Sequence, residues 1–240
     1  MTEERENTSV MFDAGVVTRE WRLEGHNILV VEFATQKLLT TSMFRLQEFY
    51  ESPYQWIRGK YFDLETFINT HMDDDGNINY FNFWAGFNVP SDTINKFYAL
   101  FDDLTHDEKM LKWIIDSTFD GRDDKSFYLI GIVRGDDATL RHELVHAKYH
   151  SDPVYSQAAH KIVVAMNNDA YLKMDNALKN MGYCNSMIID EINAYLSTST
   201  EREIREEFDF DSDAGWKIVK PTVTKLRKLA KAVLAKDDTE

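Results

Sequence analysis

Residues 127–153, FYLIGIVRGDDATLRHELVHAKYHSDP, constrain the fold more than any other stretch. FYLIGIVRG is short, apolar and partly β-branched, the composition of a buried strand. Asp136 or Asp137, directly after it, can cap a helix. Leu140, Leu144 and Ala147 then recur at helical spacing and supply one buried stripe. Asp152-Pro153 ends the run, because a residue before proline is pushed out of the α region. A strand that passes straight into an amphipathic helix asks for a sheet and a helical layer together, so the chain reads as α+β.

The rest of the chain divides by the same signals. Residues 1–13 are polar and read as a disordered tail. VVTREWRLE and NILVVEFA read as strands about the turn-prone GHN. TSMFRLQEFYES reads as a helix capped by Thr41 or Ser42, and DLETFINTHM as one capped by Asp63. HMDDDGNINYFNF brushes a calcium-loop pattern, but His71 would open that loop and Asn82 close it, where carboxylates belong. It reads instead as a turn at Asp75-Gly76 leading into a strand. WAGFNVPSD looks like a turn-rich joint with Ser91 as the next cap, followed by helices in DTINKFYALFDDL and HDEKMLKWIIDSTF. DGRDDKS, 120–126, is the best boundary. Beyond it, 153–182 reads as helix bent near Asn167-Asn168 with Gly182 as C-cap, SMIIDEINAYLST as a further amphipathic helix, and EREIREEFDFDSDAGW as acidic and exposed. KPTVTKLRKLAKAVLAK is a basic amphipathic helix with Val223, Leu226, Leu229, Ala230 and Val233 on one face, expected to pack on an acidic body. The expected organisation is a tail (1–13), an aromatic-rich α/β accessory region (14–120), a mostly helical region with a small sheet (121–210) and a C-terminal basic helix (211–240).

HELVH within the central helix carries chemistry. His142 and His146 lie about 6 Å apart along the axis and about 40° apart around it, so both imidazoles can reach one cation from one face. Glu143 sits beside them, free to take a proton from water activated by that metal. A catalytic zinc needs a third protein ligand, and four residues compete. His150 is about 12 Å along the axis from His142, too far on an unbroken helix. Asp152 would need a glycine where Tyr149 stands, and His160 reads as an ordinary helix histidine. Glu191, a carboxylate among Ile188, Ile192 and Leu196, needs a buried partner and is the favoured ligand. Asp190 points about 100° away, where it can accept from a ligand imidazole.

HELVH at 142–146 and DEINAY at 190–195 together resemble the gluzincin metallopeptidases, over roughly residues 125–200. The resemblance implies a zincin-like fold, Zn2+ held by His142, His146 and Glu191, and Glu143 as general base. It also implies that FYLIGIVRG is an edge strand that binds extended substrate. The family often carries an acid four residues after the glutamate ligand. Tyr195 stands there instead, on the face of Glu191, where it can donate to an oxyanion; Tyr183 is another such donor.

The expected activity is zinc-dependent hydrolysis of a peptide or protein substrate. The alternatives are a zinc-binding assembly protein with a peptidase-like fold and little turnover, and a hydrolase of a non-peptide amide. A net charge of -14 argues against nucleic acid as a partner. The opening MTEERENTSV lacks the basic and apolar regions of a signal peptide, Cys184 is a lone cysteine, and no apolar run nears the roughly 20 residues of a membrane span. These favour a cytoplasmic protein with no membrane association. The aromatic-rich region, with Trp21, Trp56 and Trp84, is a candidate surface for a protein partner.

Overall fold

The computed structural model describes residues 9–12, 15–23, 26–78, 80, 84–121 and 126–234. Most of the expected tail, the core of the DGRDDKS boundary, part of the strand expected after Gly76 and the last residues of the basic helix lie outside them. The protein is mixed α+β and forms two compact units, Met1–Thr139 and Leu140–Glu240.

The first unit is built on one five-stranded sheet in the order β1-β2-β3-β5-β4. Strands β1 (Ser9–Phe12), β2 (Val16–Leu23) and β3 (His26–Phe33) form an antiparallel meander. Ser9–Phe12 thus pairs with β2, although the sequence reads it as tail: four residues after a polar run are too few to signal a strand without the partner. After β3 come α1 (Gln36–Glu51) and α2 (Leu64–His71), then β4 (Gly86–Pro90), α3 (Ser91–Leu100) and α4 (His106–Phe119). β5 (Phe127–Val133) enters the sheet parallel to β3 and antiparallel to β4.

Several expectations shift here. Helix α1 begins five residues before Thr41, because the Thr35 side chain accepts from Leu38 N–H and caps it. WAGFNVP holds a strand rather than a joint. Gly86 and Pro90 sit at the two ends of β4 on the sheet edge, where proline costs least. Ser91 caps nothing; its hydroxyl accepts from Phe127 N–H, 3.1 Å away. FYLIGIV is not an edge strand, since β3 and β4 flank it; the edge beside it is β4. Within it, Gly131 is required by packing. A Cβ there would lie 2.2 Å from Met43 Sδ, so glycine lets α1 rest on the sheet. Arg45 of α1 is fully buried and offers Nε and Nη2 to Glu108 at 2.8 and 2.6 Å. Glu108 also closes the capping box of α4 with Thr105, so one carboxylate joins helix start to core.

The second unit is helical. It takes most of α5 (Asp137–Ser151), whose start is capped by Asp136 accepting from Thr139 N–H at 3.0 Å. Then come α6 (Pro153–Val164), α7 (Asn168–Asn180), α8 (Ile188–Thr198), α9 (Glu201–Glu207) and α10 (Asp213–Leu234). The expected bend near Asn167 is a break: the Asn167 side chain accepts from Asp169 and Ala170 N–H and starts a new helix. The acidic stretch 201–216 is not simply exposed, because Ile204, Phe208 and Phe210 are buried beneath its charges. The basic helix begins earlier, at Asp213, and carries Pro221 within it. Val223, Leu226, Ala230 and Val233 are buried as their spacing predicts. The chain divides after Thr139 rather than near residue 120, since β5 is hydrogen-bonded into the first unit's sheet. Among the described residues, no helix is long and apolar enough to cross a membrane.

Candidate metal centre

Helices α5 and α8 of the second unit bring three donor groups together. One ligand atom each from His142, His146 and Glu191 lie within 4.8 Å of one another, the one such group among the described residues. His142 Nε2 is 3.1 Å from His146 Nε2. Glu191 faces both rings: Oε2 lies 3.6 Å from His142 Nε2 and Oε1 lies 3.4 Å from His146 Nε2. Donors around a tetrahedral ion with bonds of about 2.0–2.2 Å sit roughly 3.3–3.6 Å apart. The two ring nitrogens, and each ring with its nearer Glu191 oxygen, stand near that spacing; the rings meet different oxygens of Glu191, and one donor atom from each residue spans up to 4.8 Å. Glu191 is 2% exposed, and its Oε2 has no hydrogen-bond partner among the described residues. Two imidazoles and one buried carboxylate are a donor set that fits a small N/O-preferring divalent ion such as zinc.

The rear of each imidazole is also engaged. His146 Nδ1 lies 3.0 Å from Asp190 Oδ2, close enough for an ion pair of the carboxylate–histidine kind. His142 Nδ1 lies 3.4 Å from Thr198 Oγ1. Sequence reasoning missed Thr198. The signal was present, however: positions 191, 195 and 198 share one helix face at i, i+4 and i+7.

The electrostatics follow from burial and charge. Burial alone would depress the His146 imidazolium, but the carboxylates of Asp190 and Glu191 overcome it and hold the ring's pKa well above its ordinary value. Burial alone would lift the Glu191 carboxyl, yet His146 and His142 bring it down to about 2. Asp190 is raised, burial outweighing its pairing with His146.

Glu143 is buried on α5 beside the triad and lies outside the ligand group. Tyr195 presents its ring edge-on to His142, centroids 4.8 Å apart. Its hydroxyl is pushed up to about 12 by burial, reinforced by Glu191. Tyr183, its hydrogen-bonding neighbour, is raised for the same two reasons. Tyr183 is delivered by the end of α7, where Gly182 at φ 100 lets Tyr183 N–H reach Leu178 C=O and Gly182 N–H reach Lys179 C=O, a Schellman turn.

The other candidates stand elsewhere. His150 and His160 are exposed, and neither joins the triad. Asp152 caps α6 by accepting from Val154 and Tyr155 N–H, and it pairs with Lys148 at 2.8 Å. Comparison with protein-family models, curated proteins and solved structures gives no match for this chain.

Proposed function

We propose that the chain is a zinc-dependent metallopeptidase of the HExxH, gluzincin-like type, hydrolysing a peptide or protein substrate. The observation that carries this reading is the grouping of His142, His146 and buried Glu191, whose carboxylate faces both rings. A zinc ion at these ligands supplies Lewis acidity, which polarises a carbonyl and makes water a nucleophile near neutral pH.

The protein's own residues do the rest. Asp190 holds His146 with its Nε2 toward the metal position. Glu143, adjacent to His142 but outside the ligand group, takes the proton of the attacking water and returns it to the departing amine. Tyr195 keeps its proton across the neutral range, so it can donate to the oxygen on which negative charge develops, with Tyr183 hydrogen-bonded behind it. A phenol that ionised near pH 7 would repel that charge instead.

The test is elemental analysis of purified protein, wild type beside His146→Ala, Glu191→Ala and His150→Ala, followed by a peptide-library cleavage assay with and without chelator. The expected result is one zinc in the wild type and in His150→Ala, none in the other two, and cleavage abolished by chelator. Zinc bound without cleavage favours the assembly-protein alternative. No uptake from zinc-supplemented buffer overturns the metal reading.

A further inference from the structure

We propose that Thr198 is the positioning residue for His142: its hydroxyl oxygen accepts from the Nδ1–H and so turns the Nε2 lone pair toward Glu191 and His146. The inference deepens the metal reading and rests on it for its purpose. Its evidence is the hydrogen-bond bookkeeping at one hydroxyl.

A threonine hydroxyl has one proton and two lone pairs. The Thr198 proton is already committed, because Oγ1 donates to Ala194 C=O at 2.7 Å, one turn back along α8. The contact at 3.4 Å with His142 Nδ1 therefore runs in one direction only: the ring donates and the hydroxyl accepts. A neutral imidazole with its proton on Nδ1 has its lone pair on Nε2. That nitrogen is the one 3.1 Å from His146 Nε2 and 3.6 Å from Glu191 Oε2.

The two ligand histidines are thus oriented by different chemistry. His146 leans on a carboxylate, Asp190, whereas His142 leans on a neutral hydroxyl. Tyr195, on the turn between Glu191 and Thr198, supplies the other restraint on His142 by packing its ring against the imidazole. With Thr198 in this role, one charged acceptor rather than two stands behind the ligands. Glu191 and Asp190 both contact the ligand rings and would set two negative charges against a divalent cation.

The experiment compares Thr198→Val, which keeps the shape and removes the acceptor, with Thr198→Ser, which keeps the acceptor. Long-range nitrogen–proton NMR of the ring resonances, recorded on metal-free protein with His142 neutral, reads the tautomer directly. Wild type and Thr198→Ser are expected to show the proton on Nδ1, and Thr198→Val a shift of population to Nε2. Zinc alone, titrated against a chelator of known affinity, should bind about 10–100-fold more weakly to Thr198→Val and within about 2-fold of wild type to Thr198→Ser. An unchanged tautomer in Thr198→Val, or an Nε2 proton already present in the wild type, overturns the proposal. A wild type that takes up no zinc overturns the metal reading instead, while the same spectra still decide the role of Thr198.

Discussion

Replacing Glu191 by glutamine keeps the shape of the side chain and removes its charge, and the consequence for metal-free protein depends on pH in a defined way. Glu191 is held at about 2 against an ordinary 4.5, a difference worth about 3 kcal/mol of preferential stabilisation of the ionised form. Removing one member of a buried pair costs about 3–5 kcal/mol by a separate route, so the two figures agree. The sign follows from the two partners. Glu191 has a depressed pKa, so its contribution is present above about 4.5 and is lost as pH falls through about 2. His146 has a raised pKa, so its contribution is complete below the unfolded value of about 6.5 and is lost as pH rises through the raised value. The wild-type advantage over Glu191→Gln should therefore plateau at about 3 kcal/mol between roughly pH 4.5 and 6.5 and shrink on both sides. Urea unfolding at a series of pH values, with chelator present, measures it. Because the chain has two compact units, a probe within the second unit should follow the transition. A difference that is flat with pH, or a variant as stable as wild type at pH 5.5, would show that Glu191 and His146 are not paired.

Three further outcomes follow from the same geometry. Glu143→Gln should keep full zinc occupancy and lose about 10²–10⁴-fold in peptide turnover; retained turnover removes Glu143 as the base. Zinc binding should release about one proton near pH 6, since His146 must give up its Nε2 proton, and the release should fade above the raised His146 value. Calorimetry in buffers of differing ionisation enthalpy measures this, and a proton count of zero at pH 6 contradicts it. Gly182→Ala should destabilise by about 1–2 kcal/mol through backbone strain alone, because a Cβ there meets nothing within 4 Å while φ is 100°. The urea midpoint reads it, and a neutral effect would argue against the Schellman turn that delivers Tyr183.

What could be read from the sequence, and what could not, divides by the range of the interaction that decides each feature. His142 and His146 are legible because four residues on one helix bring two imidazoles together without help from the rest of the chain. Glu191 is legible because a carboxylate among Ile188, Ile192 and Leu196 is costly unless paired, and that cost shows in the local pattern. β4 was not legible, because glycine and proline signal a turn in any local reading, and only the ladder to β5 and its place at the edge make them tolerable. β5 is expected at an edge only through the family resemblance; its apolar run reports burial, which agrees with its place between β3 and β4. Phe208 and Phe210 were hidden by the charges around them, since the net acidity of 201–216 says nothing about two rings that turn inward.

Thr198 belongs to a third kind. Its position on the Glu191 face is local and legible, but a threonine on a helix is ordinarily a residue that bonds back to its own backbone, and this one does so. That ordinary bond is what the proposed role rests on. By occupying the only proton, it leaves the oxygen able to act solely as an acceptor, and an acceptor is what the rear of a metal-binding imidazole requires. A serine or threonine one turn from a backbone carbonyl and across from a ligand histidine is therefore a stronger indication of a prepared metal site than the bare presence of a hydroxyl. Under the proposal, Thr198, two turns after Glu191, orients His142 with a neutral acceptor whose proton is fixed on Ala194 C=O.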